Sequence, residues 1–343
     1  MVWELRKVLI KWVSRMKLIT KLFIFVDFMA IVCFSIFYGP WDKFRNYLIT
    51  TAMETYNHKY IAHIFYSKKM IQGVLENNYL EEIEGESDPS MITIGVSENN
   101  QNYESIYEKE ILEHGENEEY KLIKFKYNGF SCYLVAIYDA KRVHAAAISN
   151  LNKGKILTDI AKENEAIVAI NGGGYTWDTY LPKGFVLTDG NFRYSASSSK
   201  KYPTAGFTEA GVLVVGSFNK SQVKEKNLIQ ALSFGPVLIS NGKSVKIVGH
   251  GGSGKNPRTV LAQRKDGIVL FLVVNGYDQT WKGRGGVYLD DLLVILERYG
   301  AYNAINMDGG SSTTMVIDGK LVNTPCEPQK NGQDFIKSAW IFK

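Results

Sequence analysis

A chain of 343 residues with 45% apolar content can bury a sizeable core, and its length exceeds the usual single domain. Its net charge of +5 is unevenly spread: residues 1–75 carry +7 and residues 76–119 carry −13, which leaves +11 on residues 120–343. The three cysteines and five histidines include no Cys-x-x-Cys or His-x-x-x-His spacing, which argues against the common zinc sites and leaves open whether Cys132 and Cys326 pair.

Residues 1–21 form a basic segment with Arg6, Lys7, Lys11, Arg15, Lys17 and Lys21. Residues 22–38 follow as an apolar run of about one bilayer-spanning length, interrupted by Asp27. Basic residues before such a run hold the N-terminus in the cytoplasm, so the expectation is a single-pass cell-membrane protein with its C-terminal domain extracytoplasmic. Ser35 to Pro40 offers no Ala-x-Ala-like cleavage site, which favours an uncleaved signal-anchor over a removed signal peptide. A buried helix would leave the preceding basic run unexplained.

Residues 39–119 read as a juxtamembrane helix and an acidic spacer. Tyr56, Ile61, Ile64, Phe65, Ile71, Val74 and Leu75 recur at mostly three- and four-residue spacings, which predicts an amphipathic helix within residues 50–77. Its apolar face suits either the main domain or a protein partner. From Glu76 to Glu119 there are fourteen acidic residues against Lys109 alone, the composition of a solvated spacer, although Met91 to Val96 could add a strand.

Residues 120–343 alternate in strand fashion. Leu122 to Tyr127, Cys132 to Tyr138, Val143 to Ile148, Ala166 to Ile170, Gly184 to Leu187, Ala205 to Phe207, Val212 to Val215 and Phe234 to Ile239 read as strands, with a helix from Thr158 to Asn164. Asn241-Gly242 signals a hairpin. Val260 to Gln263 and Ile268 to Val274 are further strands, and Leu289 to Tyr299 is a helix stopped by Gly300. The fold class is therefore α+β: a sheet-rich mixed α/β domain preceded by a transmembrane helix.

Polar chemistry gathers at strand ends. Asn171-Gly172-Gly173-Gly174 follows one buried strand, and three glycines exceed what a plain turn needs. Arg258, between Pro257 and a strand, starts from a restricted position suited to gripping a carboxylate or phosphate. Asn275 ends another strand, before a loop with Lys282 and Arg284. Asn306-Met307-Asp308-Gly309-Gly310-Ser311-Ser312 brings a carboxylate, backbone donors and hydroxyls together, a toolkit for a polyhydroxylated or phosphorylated substrate. The bland alternative is an Asp-Gly-Gly turn.

In order, Ala169 to Gly174, Phe234-Gly-Pro-Val-Leu238, Asn256-Pro-Arg-Thr259, the Leu292 to Gly300 helix, Asn306 to Ser312 and Val322-Asn323 resemble the phosphodiester glycosidase family, which includes bacterial exopolysaccharide-related members. The resemblance runs from about Tyr120 to the C-terminus. It implies a hydrolase acting on sugar-1-phosphodiester bonds in envelope or exopolysaccharide glycans; no cofactor, metal or nucleic acid partner is expected, while a metal-dependent phosphodiesterase, in which Asp308 would need partners such as His144 or His250, stays open as a further alternative. Asp308 and Arg258 are then the implied catalytic pair. Asn171, Gly172, Gly173, Thr259, Asn275, Lys282, Arg284, Asn306, Gly309, Gly310, Ser311 and Ser312 are the implied substrate-binding set. Many members carry Asp-Gly-Arg where this chain has Asn275-Gly276-Tyr277, so a carboxylate and a guanidinium are missing there, with Lys282 and Arg284 at hand to replace the cation. The tail from Gly332 to Phe335 also lacks an arginine that many members carry. These departures fit the alternative reading, a non-catalytic module that binds or assembles envelope polysaccharide.

Overall fold

The computed structural model describes residues 2–54, 59–83, 85–95, 103–176, 178–251, 253–276, 285–326 and 332–343. The chain divides into two compact units, Met1–Glu76 and Asn77–Lys343.

The first unit is helical. Helix α1 (Val2–Tyr38) contains the stretch Ile19–Tyr38, which is long and apolar enough to cross a membrane. Helices α2 (Asp42–Glu54), α3 (Lys59–Phe65) and α4 (Lys68–Glu76) pack around Ile49, Ala62, Tyr66, Ile71 and Val74. Where one amphipathic helix was expected over residues 50–77, α3 ends at Phe65 and α4 restarts at Lys68. The Ser67 hydroxyl accepts the Met70 N–H at 3.2 Å and so opens α4 as a side-chain cap.

The second unit is built on antiparallel sheets. A seven-stranded sheet runs β12 (Lys243–Ser244), β11 (Val237–Ser240), β16 (Ala301–Asn306), β14 (Arg258–Arg264), β15 (Val269–Val274), β3 (Phe130–Ile137) and β2 (Tyr120–Tyr127). One five-stranded sheet runs β18 (Lys320–Leu321), β17 (Met315–Ile317), β5 (Val168–Asn171), β19 (Ser338–Phe342) and β4 (Val143–Ala147). The other runs β7 (Asn191–Ser195), β6 (Phe185–Thr188), β10 (Leu228–Ser233), β8 (Tyr202–Thr208) and β9 (Leu213–Phe218).

Period-two alternation explains the layering. On β15, Val269, Phe271 and Val273 enter the core shared by all three sheets. Leu270, Leu272 and Val274 enter the core on the far face, beneath α5 (Ile106–Leu112) and α8 (Leu289–Arg298). Both faces are covered, so the strand reads as an unbroken apolar run rather than an alternating one. Helix α6 (Leu157–Glu163) covers the outer face of the β4–β5–β19 region, and α7 (Lys220–Glu225) covers that of the β6–β10 sheet. The architecture is thus mixed helix and sheet, as read from the sequence.

The acidic segment departs from its reading as a solvated spacer. Strand β1 (Tyr79–Glu81) pairs with β13 (Lys246–Val248), and Ile111 of α5 is fully buried in the core beneath the seven-stranded sheet. Across the β1–β13 pairing, Glu81 meets Lys246 at 2.8 Å on the exposed side.

Candidate active site

Three strand ends meet at one place. Strand β16 delivers the segment Asp308–Thr314, which leaves the seven-stranded sheet and enters β17 of a five-stranded sheet. Asn171, at the end of β5, sits at this crossing and is fully buried. Its Oδ1 accepts from the Thr259 hydroxyl at 2.6 Å and from the Thr314 N–H at 3.1 Å, and its Nδ2 donates to the Asp308 carbonyl at 2.6 Å. One amide therefore ties β5, β14 and the Asp308 segment together, so Asn171 and Thr259 hold the backbone that carries the acid.

The glycines beside Asn171 are required by close approach. A Cβ on Gly173 would lie 2.6 Å from the Ser233 carbonyl oxygen, and one on Gly174 would lie 2.6 Å from the Phe234 ring and 3.2 Å from the Asp308 carboxyl carbon. The Asp308 N–H donates to the Gly172 carbonyl at 3.1 Å, which locks the two loops face to face. Gly310 is needed for another reason: at φ +63 it occupies the left-handed region as its N–H donates to the Pro257 carbonyl at 2.9 Å.

Asp308 keeps part of its surface open, yet protein crowds it on its remaining sides. Loss of hydration pushes its carboxyl up to about 6. Hydrogen bonds from Ser312 and the Gly309 N–H and the charge of Lys183 offset this in part, while the Asp334 charge adds to it. The Gly309 N–H lies 3.1 Å from Oδ1. A carboxylate held this way is ionised at neutral pH but takes up a proton more readily than an ordinary aspartate.

Arg258 departs from its expected position at a phosphate. It is 6% exposed; its Nε donates to the Val287 carbonyl at 3.3 Å, and Nη2 donates to the Gly254 carbonyl at 2.6 Å and to the Ser253 hydroxyl at 2.8 Å. Strand alternation is the reason. Thr259 projects toward Asn171, so Arg258, its neighbour on β14, projects to the opposite face and braces the loop before the strand.

Asn275 ends β15 at 7% exposure, its Oδ1 accepting from Asn323 Nδ2 at 3.1 Å. It lines a shallow recess with Pro257, Gly310, Thr313, Asn323 and Cys326. Asn306 donates through Nδ2 to the Gly235 carbonyl at 2.9 Å. Ser311 donates to Asp334 Oδ2 at 2.7 Å, and Ser312 is buried against Asp308. Cys132 and Cys326 are both buried and are not joined in a disulfide. Tyr277, Lys282 and Arg284 lie outside the described residues.

Three neighbours of Asp308 escaped the sequence reading as site residues. Lys183 Nζ lies 5.6 Å from the centre of the Phe234 ring, the same ring that faces Gly174. Asp334 is the second carboxylate, joined through Ser311. Phe234 stood inside a recognised motif, but Lys183 and Asp334 are far apart in sequence from Asp308 and carried no local signal.

Comparison with known proteins follows the same ground. Residues 164–342 match the family model for phosphodiester glycosidases. The chain is 27% identical over 186 residues to N-acetylglucosamine-1-phosphodiester alpha-N-acetylglucosaminidase of Bos taurus, the match covering 49% of this chain and 34% of that protein. It is 25% identical over 186 residues to the SPbeta prophage-derived protein YomE of Bacillus subtilis, covering 50% of this chain and 27% of that one. The chain thus spans between about a quarter and a third of the length of these curated relatives. Among solved structures, the catalytic domain of the zebrafish N-acetylglucosamine-1-phosphodiester alpha-N-acetylglucosaminidase, auto-inhibited by its pro-peptide, superposes with a TM-score of 0.55 at 21% identity. That match covers 67% of this chain and 85% of the other and speaks to the fold.

Proposed function

The chain belongs to the phosphodiester glycosidase family, and from that premise we propose that it hydrolyses sugar-1-phosphodiester bonds in glycans of the cell envelope or of an exopolysaccharide, held at the membrane by Ile19–Tyr38 with its second unit extracytoplasmic. The observation that carries this reading is the half-buried, glycine-walled carboxylate of Asp308, raised to about 6 and flanked by Lys183 and by the hydroxyl-bearing Ser311–Ser312 turn.

In this mechanism the bond between the anomeric carbon and the phosphate oxygen breaks, and the departing phosphomonoester takes the electron pair. Water adds its oxygen to the anomeric carbon, and Asp308 receives the proton that water loses. A phosphate leaving group is weakly basic, so little general-acid assistance is needed. As positive charge develops on the sugar ring, the same carboxylate stabilises it. Lys183 meets the phosphate. The Gly309–Ser312 turn borders the substrate side, its Gly309 N–H held on Asp308 Oδ1 and its Ser311 hydroxyl on Asp334, while Asn171, Thr259 and Arg258 fix the loops without touching the substrate.

Hydrolysis of a panel of sugar-1-phosphodiesters in ¹⁸O-water tests the reading. The expected result is label on the sugar hydroxyl and none in the phosphate. Label in the phosphate would mean attack at phosphorus and end the glycosidase assignment. Binding of glycans without any product would favour the non-catalytic module, for which the neutral, internally satisfied Asn275 is the supporting observation.

A further inference from the structure

Aromatic rings and lysines follow one another from Asp308 over the end of the β6–β10 sheet, from Phe234 on the face toward the core shared by the three sheets to Tyr202 and Phe192 on the outer face. The series begins with Phe234, which carries Lys183. Gly184, next to Lys183, lies against Tyr202: a Cβ there would fall 3.0 Å from the ring's Cγ. Tyr202 carries Lys200, with Nζ 5.4 Å from the ring centre. Tyr202 and Phe192 both meet Phe185 edge-on, at 5.4 Å and 6.0 Å between centres. Phe192 in turn carries Lys220 at 4.8 Å.

Lys183 stands beside the Asp308 charge, whereas the two lysines farther along are not paired, among the described residues, as others are. Lys226 pairs with Glu86, and Lys155 with Glu163. Lys200 and Lys220 have no carboxylate within ion-pair distance among the described residues. Lys183, Lys200 and the nearby Lys201 and Arg193 are exposed, and the three rings are half-buried with part of each surface open. A single phosphodiester needs one such cation, and Lys183 already supplies it. Further lysines placed over successive rings suit a ligand whose negative charges repeat along its length, with sugar or polyol faces against the rings and phosphates against the ammonium groups.

We propose that the Lys183–Lys200–Lys220 aromatic track binds a phosphodiester-linked glycan polymer along several repeats, so that the bond at Asp308 is cut within or at the end of a long anionic chain. This rests on the glycosidase reading for the cleavage step, but the track itself is a binding surface and is testable without turnover.

The test uses the full chain in detergent and, as the probe, a polymer of sugar repeats joined by phosphodiesters from their anomeric carbons, with neutral dextran and a DNA oligonucleotide of matched charge as controls. The wild type is expected to bind the probe, to ignore dextran and to bind DNA more weakly. The double variant Lys200→Glu/Lys220→Glu is expected to lose roughly tenfold or more in affinity for the probe. The milder Lys200→Gln/Lys220→Gln pair guards against misfolding and should lose part of the same affinity. In parallel, the ratio of kcat/KM for the polymer to that for a monomeric sugar-1-phosphodiester should fall at least severalfold in the Glu pair. Failure of the wild type to bind the probe, unchanged affinity in both variants, or equal binding of DNA each overturns the track. Affinity lost in the variants with no hydrolysis of either substrate keeps the track and overturns the glycosidase reading. Hydrolysis with unchanged affinity does the reverse.

Discussion

Two loops leave neighbouring parts of the same seven-stranded sheet, one after β15 and one after β16, and they treat their polar residue in opposite ways. Asn275 is neutral, and its side-chain carbonyl is satisfied by Asn323, whose amide also holds the Thr313 carbonyl at 3.0 Å. Asp308 keeps an ionisable group where burial penalises its charge, and the surrounding donors compensate only in part. The Asn275 position is organised for stability. The second loop retains a destabilised charge, the usual mark of a group kept for chemistry.

The largest way to break this contrast is Asp308→Asn. It removes the proton acceptor and should lower turnover by about 10²–10⁴-fold, measured on a sugar-1-phosphodiester at pH 7. Because burial disfavours the charged form, the same change should raise stability at pH 7 by about 1–3 kcal/mol, read from thermal or denaturant unfolding. Lost turnover without gained stability would mean that the carboxylate is better compensated than its surroundings suggest.

The pH profile sharpens the same point. If Asp308 acts as a carboxylate, kcat/KM should fall about tenfold per pH unit below about 6. Its stability effect runs the other way. The folded protein holds this proton more tightly than the unfolded chain. Stability from this group is therefore fully present below the ordinary carboxyl range, declines as pH rises toward about 6, and is flat above. The Asp308→Asn variant should lack that decline.

Asn171→Ala attacks the frame rather than the charge. It strips partners from the Thr259 hydroxyl, the Thr314 N–H and the Asp308 carbonyl, and should cost about 2–3 kcal/mol of unfolding free energy along with a loss of kcat. The smallest effect is expected from Asp334→Asn. Without that neighbouring charge the Asp308 carboxyl falls toward its ordinary value, so the acid limb of kcat/KM moves to lower pH while the fold is little affected. An unmoved limb would confine Asp334 to its hydrogen bond with Ser311.

How much of this was legible depended on whether the signal was local. The Leu289 to Tyr299 helix emerges as α8 with Gly300 behind it at φ +71, because helical spacing and a glycine stop lie within a few residues of one another. The Val269–Val274 strand is equally plain. Strand β19 went unread: Lys337 before it is polar yet only 4% exposed, its Nζ donating to the Lys153 carbonyl, a partner far away in sequence. Strand β10 escaped notice because Gln230 interrupts its apolar run, and Gln230 is accommodated by hydrogen bonds to Asp189 at 2.6 Å and the Ala145 N–H at 3.1 Å. Within the site, Asp308 and Asn171 were recognisable as residue types in glycine-rich strand ends. Their division of labour was not, since which face of β14 receives Arg258 is invisible until the register is known.

By itself the sequence determined the chemistry available: an apolar N-terminal helix, a sheet-rich domain, and a carboxylate and an amide presented beside glycines at strand ends. These follow from periodicity and backbone freedom, which act over a few residues. Only the tertiary structure decided that Asn171 clamps the Asp308 segment, that Arg258 turns away to brace a loop, and that Lys183 and Asp334 set the charge around the acid. Those outcomes depend on strand register and on desolvation by groups brought together from distant parts of the chain, and no local pattern encodes either.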